Sequence, residues 1–118
     1  MDPIAALNVG GVVFMTYKST LIQSQSYFSG LAQAADWLED RPTELFVDRD
    51  PTHFRHVLNW MRGVRTLPDN DQILYELSYE ADFYALGQMR DAVMKARGRH
   101  PTIEKSLSSL VVEHRQRK

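Results

Sequence analysis

The chain contains no cysteine among its 118 residues. This absence excludes disulfide bonds, a thiolate nucleophile and any zinc site that depends on cysteine ligands. A cysteine-free composition favours a reducing compartment, so we expect a cytoplasmic or nuclear location.

Long apolar segments are also missing. Apolar runs such as Val12–Met15 and Leu110–Val112 fall far short of the roughly 20 residues that a membrane-spanning helix requires, and residues 1–6 carry no basic leader before an apolar stretch. We therefore expect a soluble chain with no membrane span. The Gly10–Gly11 pair is not followed by a phosphate-loop lysine, so nucleotide binding is not favoured and no cofactor is expected.

The net charge of −1 conceals two halves of opposite sign. Residues 1–94 carry 7 lysines and arginines against 13 carboxylates, whereas residues 95–118 carry 7 against 2. We interpret the chain as one domain over residues 1–97 and a basic extension over residues 98–118, in which apolar spacing predicts a short helix. A basic tail is typical of a solvated end; contact with nucleic acid is the alternative, although no aromatic side chains are interleaved with the charges.

Local patterns predict an α+β domain with a small three-stranded sheet and about five helices. Residues 7–17 predict a β-hairpin with a Gly10–Gly11 turn, and residues 44–48 predict a strand. Ser19 or Thr20 is expected to cap one short helix, and Ser26 a second that reaches Leu38. Further helices are predicted from Pro51 to a stop at Gly63, over residues 72–86 as two short helices bent near Tyr79, and over 87–97.

The segment "FVDRDPTHFRHVLNWMRG" raises the alternatives of catalysis, metal binding and architecture. Asp50 followed by Pro51 is typical of a helix start, so we expect Asp50 to be an N-cap. Asp48 and Arg49 lie at the end of the predicted strand, where they can pair with neighbours or with another chain. No histidine, serine or lysine completes a recognisable catalytic group beside them, and we expect no enzyme activity.

His53 and His56 share one helix face and are the candidate metal ligands, with Asp50 and Glu44 as further oxygen donors. Two imidazoles supply only half of a zinc site. The simpler interpretation is a pair of partly exposed helix histidines, and no metal is expected.

Four ordered segments carry a family resemblance: "LNVGGVVFMTYKSTL", "LFVDRDPTHFRHVLNWMRG", a following "LP", and "YEADFYAL". Together they resemble the potassium-channel tetramerisation type of BTB/POZ domain over residues 7 to about 90. The motif or self-association positions that we assign are Asn8, Gly10, Gly11, Phe14, Thr16, Asp48, Arg49, Asp50, Asn59, Arg62, Asp82, Phe83 and Tyr84. Some domains of this family hold zinc between subunits through histidine and cysteines, and that site is not expected here.

The resemblance implies a self-associating interaction module. The first implied use is a soluble adaptor that recruits cullin-3 for ubiquitylation of an unknown substrate. The alternatives are a cytoplasmic assembly domain of a voltage-gated potassium channel and a transcriptional scaffold. Exposed connectors are the expected partner surface, with candidate residues Glu39, Asp40, Arg41, Val64, Arg65 and Leu67.

The family also implies a closed homo-oligomeric ring of four or five chains. A small domain has limited room for its own core, yet polar residues surround the matched motifs: Asn8, Thr16, Asp48, Arg49, Asn59 and Arg62. These suit a head-to-tail interface. Arg49→Asp is therefore expected to repel an acidic neighbouring chain and split the ring.

Overall fold

A computed structural model of the chain describes residues 2–31 and 43–99. In these ranges it shows three strands and five helices. The elements, in chain order, are β1 (Ile4–Val9), β2 (Val12–Tyr17), α1 (Lys18–Gln23), α2 (Tyr27–Leu31), β3 (Thr43–Val47), α3 (Phe54–Met61), α4 (Asp71–Phe83) and α5 (Gly87–Gly98). This arrangement confirms the predicted α+β fold.

The N-terminal hairpin forms as predicted, although β1 begins at Ile4, three residues earlier than expected. Gly10 and Gly11 both adopt positive φ angles, of 55° and 104°, which a two-residue hairpin turn requires. The Asn8 side-chain oxygen accepts a hydrogen bond from the Gly11 amide at 2.8 Å. Asn8 therefore fixes the turn within its own chain.

The sheet has the strand order β2-β1-β3, with β2 antiparallel and β3 parallel to the central strand β1. Leu7 lies opposite both Phe14 and Leu45 in this register. The hairpin turn also meets the end of β3, because the Gly10 amide donates to the Val47 carbonyl at 2.9 Å. The first family motif is thus attached to the start of the second.

The core lies between the inner face of the sheet and the helices. Phe54, at the start of α3, is fully buried and contacts the rings of Phe14, at 4.9 Å, and Tyr84, at 5.3 Å, between centroids. Fully buried residues of α4 and α5, such as Leu77 and Val93, complete the apolar cluster. The first, second and last family motifs therefore meet in one core.

Asp50 is not the N-cap of α3, and this prediction is wrong. The helix begins at Phe54 and its capping position is His53, which makes no side-chain cap hydrogen bond. A turn is interposed: Asp50 accepts from the Thr52 amide at 2.8 Å, and the Phe54 amide donates to the Pro51 carbonyl at 3.0 Å. Asp50 thus stabilises the turn before the helix, since a carboxylate readily accepts from the backbone two residues on.

The predictions for the two short helices differ in outcome. The first begins at Lys18, so Ser19 and Thr20 lie inside α1 and do not cap it. Ser26 does act as a cap, because its hydroxyl accepts from the Phe28 amide at 3.2 Å. The part of the second helix predicted as far as Leu38 lies outside the described residues.

Residues 71–83 form one continuous helix, α4, and the predicted bend near Tyr79 is wrong. Asn70 caps its start by accepting from the Ile73 amide at 2.9 Å. Tyr75 and Tyr79 lie on the exposed side of α4. Their hydroxyl oxygens are 3.1 Å apart. The predicted α5 is confirmed, whereas the helix predicted beyond Pro101 lies outside the described residues.

Candidate functional site

One face of the sheet is apolar and exposed. We define the outer sheet face as Val13, Met15, Tyr17 and Phe46, whose exposed fractions lie between 53 and 60%. The strand register brings them together, because Asn8 of the central strand lies opposite both Val13 and Phe46, and Ala6 lies opposite Met15. Single exposed apolar residues are ordinary, but a contiguous group is typical of an interaction surface.

The size of this face suits the centre of an interface. A large aromatic side chain buries about 150–250 Å² when it is covered, so Tyr17 and Phe46 alone offer roughly 200 Å². A stable interface buries about 800 Å² on each partner, with an apolar centre and a polar rim. Sequence reasoning missed the outer sheet face because it selected polar residues, although the uninterrupted apolar character of Val12–Met15 was the available signal.

The polar residues assigned to self-association mainly serve their own chain. Asn8 holds the hairpin turn, Thr16 is buried, and the backbone carbonyl of Asn59 accepts from the Val64 amide at 2.9 Å. Arg62 donates to the Met15 carbonyl at 2.7 Å. Because β2 is an edge strand, this bond covers one backbone acceptor that would otherwise attract a foreign strand.

Arg49 forms a junction between two family motifs. Its guanidinium makes two hydrogen bonds to the Glu80 carboxylate, one of them at 3.3 Å, and lies 4.4 Å from the centroid of the Phe83 ring. Both side chains of the ion pair are partly buried. Arg49 thus has an acidic partner, Glu80, in its own chain, whereas the acidic neighbouring chain and the splitting of the ring by Arg49→Asp stay predictions.

This junction predicts a measurable contribution to stability. We expect Arg49→Ala to lower the free energy of unfolding by about 2 kcal/mol, because it removes a paired, partly buried charge and a cation–π contact. Chemical denaturation of Arg49→Ala, Glu80→Gln and the double variant measures the coupling. Strictly additive losses in this cycle would contradict the assigned pairing.

The three carboxylates of the motifs do not converge into a catalytic group. Asp48 is exposed at the end of β3. The pKa of Asp50 is lowered by hydrogen bonding to Thr52, first through its side chain and then through its backbone. Asp82, on the exposed side of α4, lies 3.9 Å from Arg90. Asp50 and Asp82 thus have different partners, Thr52 and Arg90.

Tyr84 occupies the centre of an aromatic cluster. Its ring stacks on Phe28 with centroids 5.6 Å apart and meets Phe83 edge-on at 4.9 Å. The Tyr84 hydroxyl is buried and has no hydrogen-bond partner among the described residues. Burial, assisted by the nearby Glu80 charge, raises the pKa of this hydroxyl well above its usual value, so it stays protonated at physiological pH.

Removing this hydroxyl is expected to be harmless. We predict that Tyr84→Phe leaves the free energy of unfolding unchanged or raises it by up to about 1 kcal/mol, since an unpaired buried donor carries a desolvation cost. Thermal unfolding of Tyr84→Phe beside Phe28→Leu, which removes a stacked ring, separates the two effects. A clear loss of stability in Tyr84→Phe would show that the hydroxyl has a partner.

The two candidate metal-binding histidines have separate surroundings. His53 Nε2 lies 2.6 Å from Glu76 Oε1, whereas the pKa of His56 is lowered by partial burial and by the nearby charges of His53 and Arg55. The pKa of Glu76 is lowered by hydrogen bonds from Gln72 and then from His53. Within residues 2–31 and 43–99, no group of three or more potential metal-ligating side chains is present.

His56 predicts a pH dependence of stability. Because its folded-state pKa lies below the ordinary value of 6.5, the unfolded chain binds more protons, and stability falls as the pH drops below about 7. We expect His56→Gln to reduce the slope of unfolding free energy between about pH 7 and 5. Identical slopes for the variant and the unmodified chain would contradict this assignment.

Only part of the connector after α3, which was predicted to bind a partner, is exposed and available for binding. Val64 is exposed, Leu67 packs against the core, and the Arg65 guanidinium lies 4.1 Å from the Trp60 ring centroid. The other partner candidates, Glu39, Asp40 and Arg41, lie outside the described residues. None of the helices described is long and apolar enough to cross a membrane.

Comparison with known proteins agrees with this geometry. The BTB/POZ domain family matches residues 5–93. Human BTB/POZ domain-containing protein KCTD17 is 38% identical over 86 residues, covering 70% of this chain and 27% of that protein. FH protein interacting protein FIP2 of Arabidopsis thaliana is 33% identical over 118 residues, covering 93% of this chain and 38% of that protein. Human BTB/POZ domain-containing protein KCTD5 is 37% identical over 82 residues, covering 66% of this chain and 35% of that protein.

A hairpin-led sheet packed by helices, with an exposed apolar face, is typical of a protein-interaction domain. The chain belongs to the BTB/POZ domain family, of the potassium-channel tetramerisation type. It is therefore a protein-interaction and oligomerisation module. The chain spans only 27–38% of the length of the three relatives described above.

Proposed function

We propose that the chain is the self-associating part of an adaptor that recruits cullin-3 and presents a substrate for ubiquitylation. The observation that carries self-association is the outer sheet face, four apolar side chains each more than half exposed. Covering such a face removes apolar surface from water and is strongly favourable. A second copy of the chain is the occupant that membership of an oligomerising family supports.

The proposed assembly is a closed ring of four or five chains. In a ring the outer sheet face meets a different patch on the next chain, so the interface is head-to-tail and closes through a fixed angle. The adaptor role favours five chains and a channel-assembly role favours four. The domain itself performs no catalysis in this proposal, and it acts in the cytosol or the nucleus.

The connector after α3 is the proposed cullin-3 contact. Val64 is the exposed apolar residue of this connector, and exposed connectors held by regular elements commonly carry binding function. The substrate is assigned to a part of the protein outside this domain, because the longer relatives extend well beyond the matched region.

The direct test is sedimentation of the purified chain with the N-terminal domain of cullin-3. We expect a complex heavier than either component, and we expect Val64→Asp to weaken it. Met94→Asp is the matched control, because Met94 is similarly exposed but lies on α5. If cullin-3 sediments separately from the unmodified chain, the adaptor proposal is wrong while self-association is unaffected.

The basic residues 95–118 favour a second candidate, a transcriptional scaffold whose tail contacts nucleic acid. Such contacts release counterions and weaken steeply as salt is raised. A mobility shift of duplex DNA that disappears at moderate salt and on removal of residues 100–118 supports this candidate. Unshifted DNA at low salt excludes it.

A further inference from the structure

Three connectors meet at a cleft of about 340 Å³, which we call the connector cleft. They are the turn between α1 and α2, the end of α3 with the residues after it, and the turn between α4 and α5. Its polar side chains come from all three connectors and include Gln23, Gln25, Arg65 and Gln88. This volume lies within the usual range of ligand clefts, about 300–1,000 Å³.

The walls of the cleft are fixed by hydrogen bonds between elements. The Tyr27 amide donates to the Tyr84 carbonyl at 2.8 Å, which ties the start of α2 to the end of α4. The Ser26 hydroxyl lies 3.7 Å from the Met61 sulfur, and this contact brings α3 to the same place. The cleft is therefore formed before any ligand arrives, which lowers the entropic cost of binding.

Arg65 gives the cleft its charge. Its guanidinium carbon lies over the Trp60 ring, 4.1 Å from the ring centroid, and no carboxylate in the described part of the chain pairs with it. Among the described residues that line the cleft, none is acidic. An arginine stacked in this way keeps its edge N–H groups free for a planar, bidentate acceptor such as a carboxylate.

The glutamine amides suit a peptide backbone. Each of Gln23, Gln25 and Gln88 offers both a donor and an acceptor, which matches the alternating carbonyl and amide groups of an extended chain. We propose that the connector cleft binds an extended peptide segment of a partner protein, with an Asp or Glu side chain of that segment held by Arg65. This inference goes beyond the proposed adaptor function and does not depend on ring formation.

The test uses Trp60 as a fluorescent reporter in a Trp37→Phe background, which leaves one tryptophan in the chain. The probes are the blocked peptide Ala-Glu-Ala-Glu-Ala, its neutral counterpart Ala-Gln-Ala-Gln-Ala, and inorganic phosphate. We expect saturable quenching by the acidic peptide and at least tenfold weaker binding in Arg65→Gln, as expected for the loss of a charge-assisted hydrogen bond. Arg55→Gln is the charge-matched control on the exposed side of α3.

The proposal is overturned if the two peptides bind equally, if neither binds, or if Arg55→Gln weakens binding as much as Arg65→Gln. Phosphate that competes with the same affinity as the acidic peptide would also overturn it, because the site would then take any small anion. Calorimetric titration of the unmodified chain repeats the comparison without the Trp37 substitution. Light scattering of Arg65→Gln separates this result from self-association, since the oligomeric mass is expected to stay unchanged.

Discussion

Met15→Glu is expected to dissociate the self-associated protein into single chains and to leave each chain folded. Met15 lies between Val13 and Tyr17 on the β2 side of the outer sheet face with 60% of its surface exposed, so a carboxylate there is solvated in the free chain. In an assembly that covers this face, the same charge is buried without a partner. An uncompensated buried charge costs about 3–5 kcal/mol, which corresponds to a loss of affinity of a hundredfold or more at each contact.

Light scattering measures the dissociation, and circular dichroism tests whether the fold is retained. Met94→Glu is the matched control, because Met94 is an exposed methionine outside the sheet. The assembly formed by the Met94→Glu variant is expected to have the same mass as that of the unmodified protein. Phe46→Glu, on the other edge strand, should act as Met15→Glu does. An assembly that tolerates both sheet-face variants would remove the outer sheet face from the interface.

Gly10→Ala is expected to lower the free energy of unfolding by about 3 kcal/mol or more. A Cβ atom at this position would lie 2.3 Å from the Arg49 carbonyl oxygen and 3.3 Å from Pro51 Cδ. Both neighbours are rigid, so the hairpin turn and the Asp-Arg-Asp-Pro segment would have to separate. The family glycine thus serves as a contact point between two motifs as well as a turn residue.

Gly63→Ala isolates the effect of the clash. Gly63 also has a positive φ angle, of 92°, but a Cβ atom there meets nothing within 4 Å. Strain at such a position alone costs about 1–3 kcal/mol, and φ near 55° is the milder of the two conformations for an alanine. Denaturant titrations should therefore rank Gly10→Ala as the more damaging variant, and the reverse ranking would contradict the assigned contact.

The sequence predicted those elements whose signals are local. Gly10–Gly11 between valine-rich segments specified the hairpin, and the spacing of Phe54, Val57, Leu58 and Met61 specified the buried side of α3. The family resemblance followed from the same short segments. These signals persist in the fold because each depends on backbone conformation or on residues within two turns of one another.

The errors arose where contacts distant in sequence decide the structure. Asp50 followed by Pro51 is a typical start of a helix. In the structure a turn from Pro51 to Phe54 comes first, so the helix begins at Phe54, three residues after the predicted first position, Pro51. The bend was predicted because the apolar positions of residues 72–86 are dense, whereas the structure has one continuous helix in which Tyr75 and Tyr79 pair on the exposed side. An aromatic side chain can lie on either the buried or the exposed side of a helix, so periodicity alone does not distinguish the two placements.

The candidate site was predicted only in part. Arg49 was selected as a motif residue from the sequence, but its acceptor, Glu80, lies 31 positions away and no spacing rule connects them. The outer sheet face depends on the register of three strands, which places Phe46 beside Val13 across β1. The polar positions assigned to self-association stay a prediction, although the side chains of Asn8, Arg49 and Arg62 form hydrogen bonds within their own chain.

The most direct test of self-association is the mass of the unmodified chain in solution, determined by light scattering coupled to size exclusion at micromolar concentration. Each chain has a mass of 13.6 kDa, and the expected result is a single species of four or five chains that persists on dilution within that range. A species with the mass of one chain, in ordinary salt, would contradict both the ring and the role of the outer sheet face.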